Sequence, residues 1–175
     1  MTRAALQTRK AGMRDIPKIL ALINLYAAQG IMLPRTEFEM SENIRDFSVA
    51  YEGEILVGCG ALHFYTPTSA EVRSLAVLPE IKGHGIGRAL VEALEGEARE
   101  NSLESIFAFT YAPQFFGKLG FSEVERGELP LKAWKDCLRC PKFHHCDEIA
   151  VLKWLKSPVI AHPKMDHLLV QIGFN

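Results

Sequence analysis

Residues 75–97 read LAVLPEIKGHGIGRALVEALEGE, and this run constrains the fold more than any other part of the chain. An apolar strand ends at Pro79, the turn Lys82-Gly83-His84-Gly85-Ile86-Gly87 follows, and an amphipathic helix begins at once. Glycines at alternate positions let backbone amides crowd together without Cβ interference. Those amides fall where a helix start already offers unpaired N–H groups and positive dipole. Two readings follow: a cradle for a phosphate or pyrophosphate, or a tightly packed strand-to-helix connection. No Gly-Lys-Ser/Thr completes a P-loop. Gly83, Gly85 and Gly87 give G-x-G-x-G and not the G-x-G-x-x-G of a dinucleotide fold.

The rest of the chain alternates strand and helix patterns. A first strand is expected at 6–9, and Asp15 is placed to cap a helix carrying Ile16, Ile19, Leu20, Ile23 and Ala27, closed by Gly30. Thr36 and Glu39 form a capping box ahead of Met40, Ile44 and Phe47. Strands are expected at 48–51, 55–65 and 71–78, then a helix over 85–101 with Ile86, Leu90, Leu94 and Ala98 inward and Glu95–Arg99 as a solvated pair. A strand at 105–111, a short helix at 113–119 and strands at 121–125 and 148–155 complete the pattern. This order predicts an α/β domain, a mixed central sheet with helices on both faces, over residues 1–156. Residues 157–175 form a tail with no assigned role.

A chain of 175 residues, 48% hydrophobic, suits one well-packed domain. Its net charge of −1 offers no electrostatic case for nucleic acid or a membrane surface. No apolar run approaches the ~18 residues of a spanning helix, and the N-terminus lacks the apolar core of a signal peptide. A cytoplasmic location is expected, with the four cysteines as reduced thiols or metal ligands and not a disulfide framework. A homo-oligomer stays open.

The glycine turn, with Lys82 in the basic lead position, resembles the acyl-CoA loop of the GNAT acetyltransferases. A second segment, Gln114-Phe115-Phe116-Gly117-Lys118-Leu119-Gly120-Phe121, is similar to that family's F-Y-x-K-x-G-F element, and the element order over 6–155 matches the GNAT fold. The resemblance implies a splayed strand pair and acetyl-CoA as co-substrate. It places the pyrophosphate on Lys82, Gly83, His84, Gly85, Ile86, Gly87 and Arg88. The pantetheine arm would lie on Leu75, Ala76 and Val77, with Phe116 beside it. It also implies Glu71 as general base, directly or through water, although Glu71 and Arg73 share a strand face and could instead pair. Phe116 stands where the family's acid is a tyrosine, and a phenyl ring donates no proton. Tyr111 is the candidate substitute acid, with a packing role as its competing reading, and the thiolate could also leave unaided, its thiol pKa lying near ~8.5. His63 and His84 are further residues of a type able to carry protons, although the backbone amide of His84 matters more than its ring and His63 is expected to line the sheet.

Residues 129–150, LPLKAWKDCLRCPKFHHCDEIA, together with 33–36 and 43–47, look like the short-form bacterial N-acetylglutamate synthases. That resemblance implies L-glutamate as acceptor. A dicarboxylate needs cationic donors, and Arg35, Arg73 and Lys132 are the candidates. Acetylation of another small amine or a protein amine, or a non-catalytic CoA-binding regulatory module, are the competing readings. Cys137, Cys140 and Cys146, beside His144, could hold a structural zinc ion. No second spaced Cys/His pair supports it, so no metal is assigned.

Overall fold

The structure, a computed structural model, describes residues 5–129, 138 and 140–156. Seven strands, β1 (Leu6–Lys10), β2 (Phe47–Glu52), β3 (Ile55–Thr66), β4 (Ser69–Val77), β5 (Ser105–Thr110), β6 (Ser122–Glu123) and β7 (Ile149–Trp154), form one mixed sheet. Four helices accompany them: α1 (Ile16–Ala27), α2 (Glu37–Asn43), α3 (Ile86–Glu100) and α4 (Pro113–Gly117). The strand order is β1-β2-β3-β4-β5-β7-β6, antiparallel throughout except for β4 beside β5.

The two faces are separately packed, as strand alternation requires. Ile16, Ile19, Ile23 and Tyr26 of α1 and Met40 of α2 lie against Val49, Cys59 and Ala61 on one face. Val91, Leu94 and Ala98 of α3 and Phe116 of α4 pack on Leu62, Val72 and Ile106 on the other. Burial of Cys59 pushes its thiol up to about 12, so this cysteine is packing material and not a nucleophile. The Thr36–Glu39 capping box forms as the sequence predicts: Glu39 N donates to Thr36 Oγ1 at 3.2 Å and Thr36 N donates to Glu39 Oε2 at 2.9 Å.

Three local expectations change. Asp15 lies within a helical turn and does not cap α1 with its side chain. Its buried carboxylate takes two 2.8 Å bonds from Arg9 and one each from Gly12 N and Tyr51 Oη. Glu95 is not simply solvated with Arg99, because Lys153 reaches it from β7. The strand expected at 121–125 shrinks to β6, which pairs with β7 only at Ser122 and Glu123.

The arrangement that positions a site is the β4–β5 pair. Their parallel ladder runs through Ser69–Ser105, Ala70–Ile106 and Glu71–Phe107, and ends there. β4 continues to Val77 and β5 to Thr110 with no further pairing between them. A bulge sharpens the divergence: the β3–β4 register shifts between Cys59 and Ala61, and Ser74 on the opposite strand has φ +53°. The predicted splay is therefore present, and its open edge belongs to residues 72–77.

Candidate active site

The gap between the diverging strands opens into a cavity of about 830 Å³. The β4 edge forms one wall, and the glycine turn, α4, the segment joining α1 to α2, and residues near 110–112 and 140–148 supply the rest. At the turn, Gly83 and Gly85 have φ +85° and +82°, in the left-handed region that L side chains avoid, and a Cβ on either would meet no atom within 4 Å. The space over the turn is open, and Gly85 is the N-cap of α3, so the unpaired amides of that helix start face an accessible surface. Gly87 answers a different need, because a Cβ there would stand 3.2 Å from the Phe115 ring.

The β4 edge adds unpaired strand groups to the same cavity. Leu78 N donates to Val57 O at 2.9 Å across to β3, so strand alternation turns the amide and carbonyl of Val77 toward the gap. The Val77 carbonyl already accepts the Tyr26 hydroxyl at 2.5 Å, and Lys82 Nζ stands 4.7 Å over the Tyr26 ring. Tyr26 thereby couples α1, the β4 edge and the basic lead residue of the turn. The sequence reading assigned Tyr26 no role. His84 Nδ1 lies 3.0 Å from Ile81 O, Arg88 pairs with Glu92 at 3.4 Å, and Phe116 is 4% exposed, edge-on to Phe115 and Phe121. Leu75, Ala76, Val77, Lys82, Gly83, Gly85, Ile86, Gly87, Arg88 and Phe116 all line the cavity.

Glu71, the predicted base, also lines the cavity and is 8% exposed. Tyr65 Oη donates to its Oε2 at 3.0 Å. Arg73 and Arg35 face the same cavity, from β4 and from the α1–α2 connection. Arg35 is fixed through its backbone, with its N donating to Asn24 Oδ1 at 3.2 Å and its O accepting Asn24 Nδ2 at 3.4 Å. Asp46 lies 2.6 Å from His63 Nδ1 and 3.8 Å from Arg73, so His63 is committed to a carboxylate behind the wall. Lys132 and Cys137 fall outside the described residues, as does the tail at 157–175.

Tyr111 stands at the end of β5 on the cavity wall, 40% exposed. Its hydroxyl donates to Asp147 Oδ1 at 2.8 Å and accepts from Lys142 Nζ at 2.9 Å. Burial is the largest influence raising its pKa above the ordinary phenol value, with Lys142 opposing, so at neutral pH it carries its proton. Two further cavity residues escaped the sequence reading. Arg126 Nη2 donates to Cys146 Sγ at 3.0 Å and to the Glu148 carbonyl. Glu148 is half-buried, and desolvation raises its carboxyl above the usual value while Arg126 opposes. Neither residue belongs to a motif; only the placement of β7 beside β5 brings them here. Among the described residues no cluster of His, Cys, Asp and Glu could hold a metal ion. Cys146, one of the three cysteines considered for zinc, instead accepts from a guanidinium.

A seven-stranded mixed sheet opened at one parallel pair, with a glycine-bearing helix start at the mouth, is the architecture that the resemblance to the GNAT acetyltransferases predicts. The comparisons agree: the chain belongs to the acetyltransferase (GNAT) family, whose model matches residues 19–121. It is 45% identical over 148 residues to an uncharacterised N-acetyltransferase of Chlorobaculum tepidum, covering 84% of this chain and 95% of that one. It is 38% identical over 160 residues to the amino-acid acetyltransferase of Mycobacterium tuberculosis, covering 90% and 91%. Among solved structures it is similar to N-acetylglutamate synthase of Neisseria gonorrhoeae complexed with coenzyme A and N-acetyl-glutamate. That match has a TM-score of 0.80 and 28% identity, over 89% of this chain and 36% of that longer one. No described helix is long and apolar enough to cross a membrane.

Proposed function

We propose that this acyltransferase moves the acetyl group of acetyl-CoA to the α-amino group of L-glutamate, releasing N-acetyl-L-glutamate and CoA. This would be the entry step of arginine biosynthesis, carried out in the cytoplasm. The observation that carries the reading is the meeting of Glu71, Arg35 and Arg73 in the cavity that the open β4 edge and glycine turn also border. A buried carboxylate beside arginines suits an amine that bears carboxylates of its own. The names and bound ligands of the similar proteins point the same way.

In this mechanism the turn amides, Lys82 and Arg88 hold the pyrophosphate, and the β4 edge aligns the thioester. Glu71 takes a proton from the ammonium, directly or through one water. The freed nitrogen attacks the thioester carbonyl carbon, and a β4 amide stabilises the developing oxyanion. The C–S bond then breaks, the departing sulfur takes a proton from Tyr111, a cavity hydroxyl that keeps its proton at neutral pH, and the nitrogen gives up its second proton through solvent, which restores the Tyr111 phenol. Phe116, packed between two aromatic rings, has no part in that transfer. A Tyr111→Phe variant with unchanged kcat would show instead that the thiolate leaves unaided.

Thiol release from acetyl-CoA across a panel of amino acids and polyamines tests the reading. Turnover with glutamate far above the other amines is expected. A preference for a polyamine or a lysine-bearing peptide would overturn it.

A further inference from the structure

The segment that leads into β7 carries a polar cluster centred on one hydroxyl. Thr110 opposes Ile149 in the antiparallel β5–β7 ladder, so the residues just before β7 run beside Tyr111, the first residue after β5. Tyr111 Oη donates to Asp147 Oδ1 at 2.8 Å and accepts from Lys142 Nζ at 2.9 Å, and the same Nζ stands 3.7 Å from Asp147. Lys142 Nζ also lies 4.9 Å over the Tyr111 ring, a favourable place for a cation. The lysine is tied down through its own backbone: its N donates to Cys140 Sγ at 3.4 Å and its O accepts His145 N at 2.9 Å. Tyr111 and Lys142 both line the cavity.

An acid of this kind needs such a neighbour. A phenol, near ~10, is a weaker acid than a thiol, near ~8.5, so proton transfer from a tyrosine to a thiolate runs about thirtyfold uphill before any contribution from the protein. Burial weakens the Tyr111 phenol further, and the charges of Asp147 and Glu148 act in the same direction. Lys142 opposes all three. Its bond is made to a lone pair of the hydroxyl oxygen, so it persists when the hydrogen turns from Asp147 to the sulfur, and its charge then faces a phenolate.

We propose that Lys142 is a positioning residue for the acid of this acetyl transfer: it holds the Tyr111 oxygen at the cavity wall and balances the phenolate left when the departing sulfur takes the proton. The assignment rests on the acetyl-transfer reading above, with Tyr111 as its acid. In that step the Oη–H bond breaks with its electron pair left on oxygen, the S–H bond forms, and Lys142 keeps its own protons. The second proton of the acetylated nitrogen then reaches the phenolate through solvent, so lysine and tyrosine end each turnover as they began.

The test is a double-mutant cycle on kcat: wild type, Lys142→Met, Tyr111→Phe and the double variant, with Lys142→Arg, the acetyl-CoA KM and the melting temperature alongside. The acceptor is L-glutamate, or whichever amine the acceptor panel selects, so the cycle still reads Lys142 if the glutamate reading fails. Tyr111→Phe is expected to lower kcat by about 10²-fold or more, as loss of a general acid does. Lys142→Met should lower it by about five- to tenfold, a modest figure because the lysine side chain is 44% exposed, while the acetyl-CoA KM and the melting temperature hold. The double variant should be no slower than Tyr111→Phe alone, because without the hydroxyl the lysine has nothing to act through. Lys142→Arg keeps a charged donor and should recover most of the loss. Losses that multiply in the double variant would show that Lys142 acts apart from Tyr111 and would overturn the proposal. So would a Lys142→Met enzyme with the wild-type kcat. An unchanged kcat in Tyr111→Phe would remove the acid and this assignment together while acetyl transfer stands, and a chain that releases no thiol with any amine would overturn both readings.

Discussion

Gly58 is the position where a single methyl group should report on how the sheet holds the donor site. It lies on β3 opposite Val77, directly under α3. A Cβ at this residue would stand 2.9 Å from Leu90 Cδ1, 3.0 Å from the Ala76 carbonyl oxygen and 3.1 Å from Ile86 Cγ2. The carbonyl is sheet backbone, and the two side chains are at most 1% exposed, so no neighbour has free space to retreat into. Gly58→Ala must therefore lift α3 or spread β3 from β4. Overpacking of this kind costs about 1–3 kcal/mol. At about 2–4 °C per kcal/mol for a chain of this size, the melting temperature should fall by about 2–12 °C. Because α3 begins at Ile86, beside Gly85 and Gly87, a lifted helix carries the glycine turn with it. The KM for acetyl-CoA should rise while that for the acceptor holds. Gly96→Ala on the same helix is the control: its Cβ meets nothing within 4 Å, and replacing glycine in a helix interior stabilises by about 1 kcal/mol. The melting temperatures of the two variants should thus move in opposite directions, and the acetyl-CoA KM should rise only in Gly58→Ala. A Gly58→Ala protein that melts with the wild type would refute the close-packing argument.

Three other perturbations probe separate parts of the molecule. Glu71→Gln can still accept the Tyr65 hydroxyl, so it should melt near the wild type yet lose about 10²–10⁴-fold in kcat/KM; a loss under tenfold would remove Glu71 as the base. Arg35→Ala should raise the apparent glutamate KM and leave acetyl-CoA binding intact, and equal losses for both ligands would show that it serves the donor site instead. Asp15→Asn should cost about 1–3 kcal/mol at pH 7, toward the low end because the Arg9 side chain is 53% exposed. Arg9 is the chief cause holding the Asp15 carboxyl below the ordinary value near ~3.9, so the wild type has this contribution in full above that pH and loses it as pH falls further. The gap in melting temperature between the two proteins should narrow from pH 7 to pH 3; a constant gap would mean the charge is not what stabilises.

What the sequence made legible is what backbone and local periodicity decide. The inward stripe of α3, the Thr36–Glu39 box and the left-handed glycines at 83 and 85 each depend on residues within one turn or one helix. The proposed donor site inherits this legibility because it consists largely of main-chain groups, and their direction follows once strand and turn are placed. Local reading failed where a distant element competed. Asp15 had the look of a helix cap until the pairing of β1 with β2 brought Tyr51 beside Arg9. Glu95 was half of a surface pair until β7 delivered Lys153.

The proposed acceptor side is built in the second way, and that is why its lining was only partly foreseen. Glu71 and Arg73 share one strand and could be paired by counting, whereas Arg126 and Glu148 carry no local pattern and meet only because β7 inserts between β5 and β6. The same topology separates the two sides of the cavity. The open β4 edge depends on where the β4–β5 ladder stops, a property of the whole sheet. The acceptor wall depends on side chains from the 126–128 turn and the segment before β7, which can vary without disturbing that ladder. Exchanging side chains of that wall should therefore alter which amine is accepted well before it alters how acetyl-CoA is held.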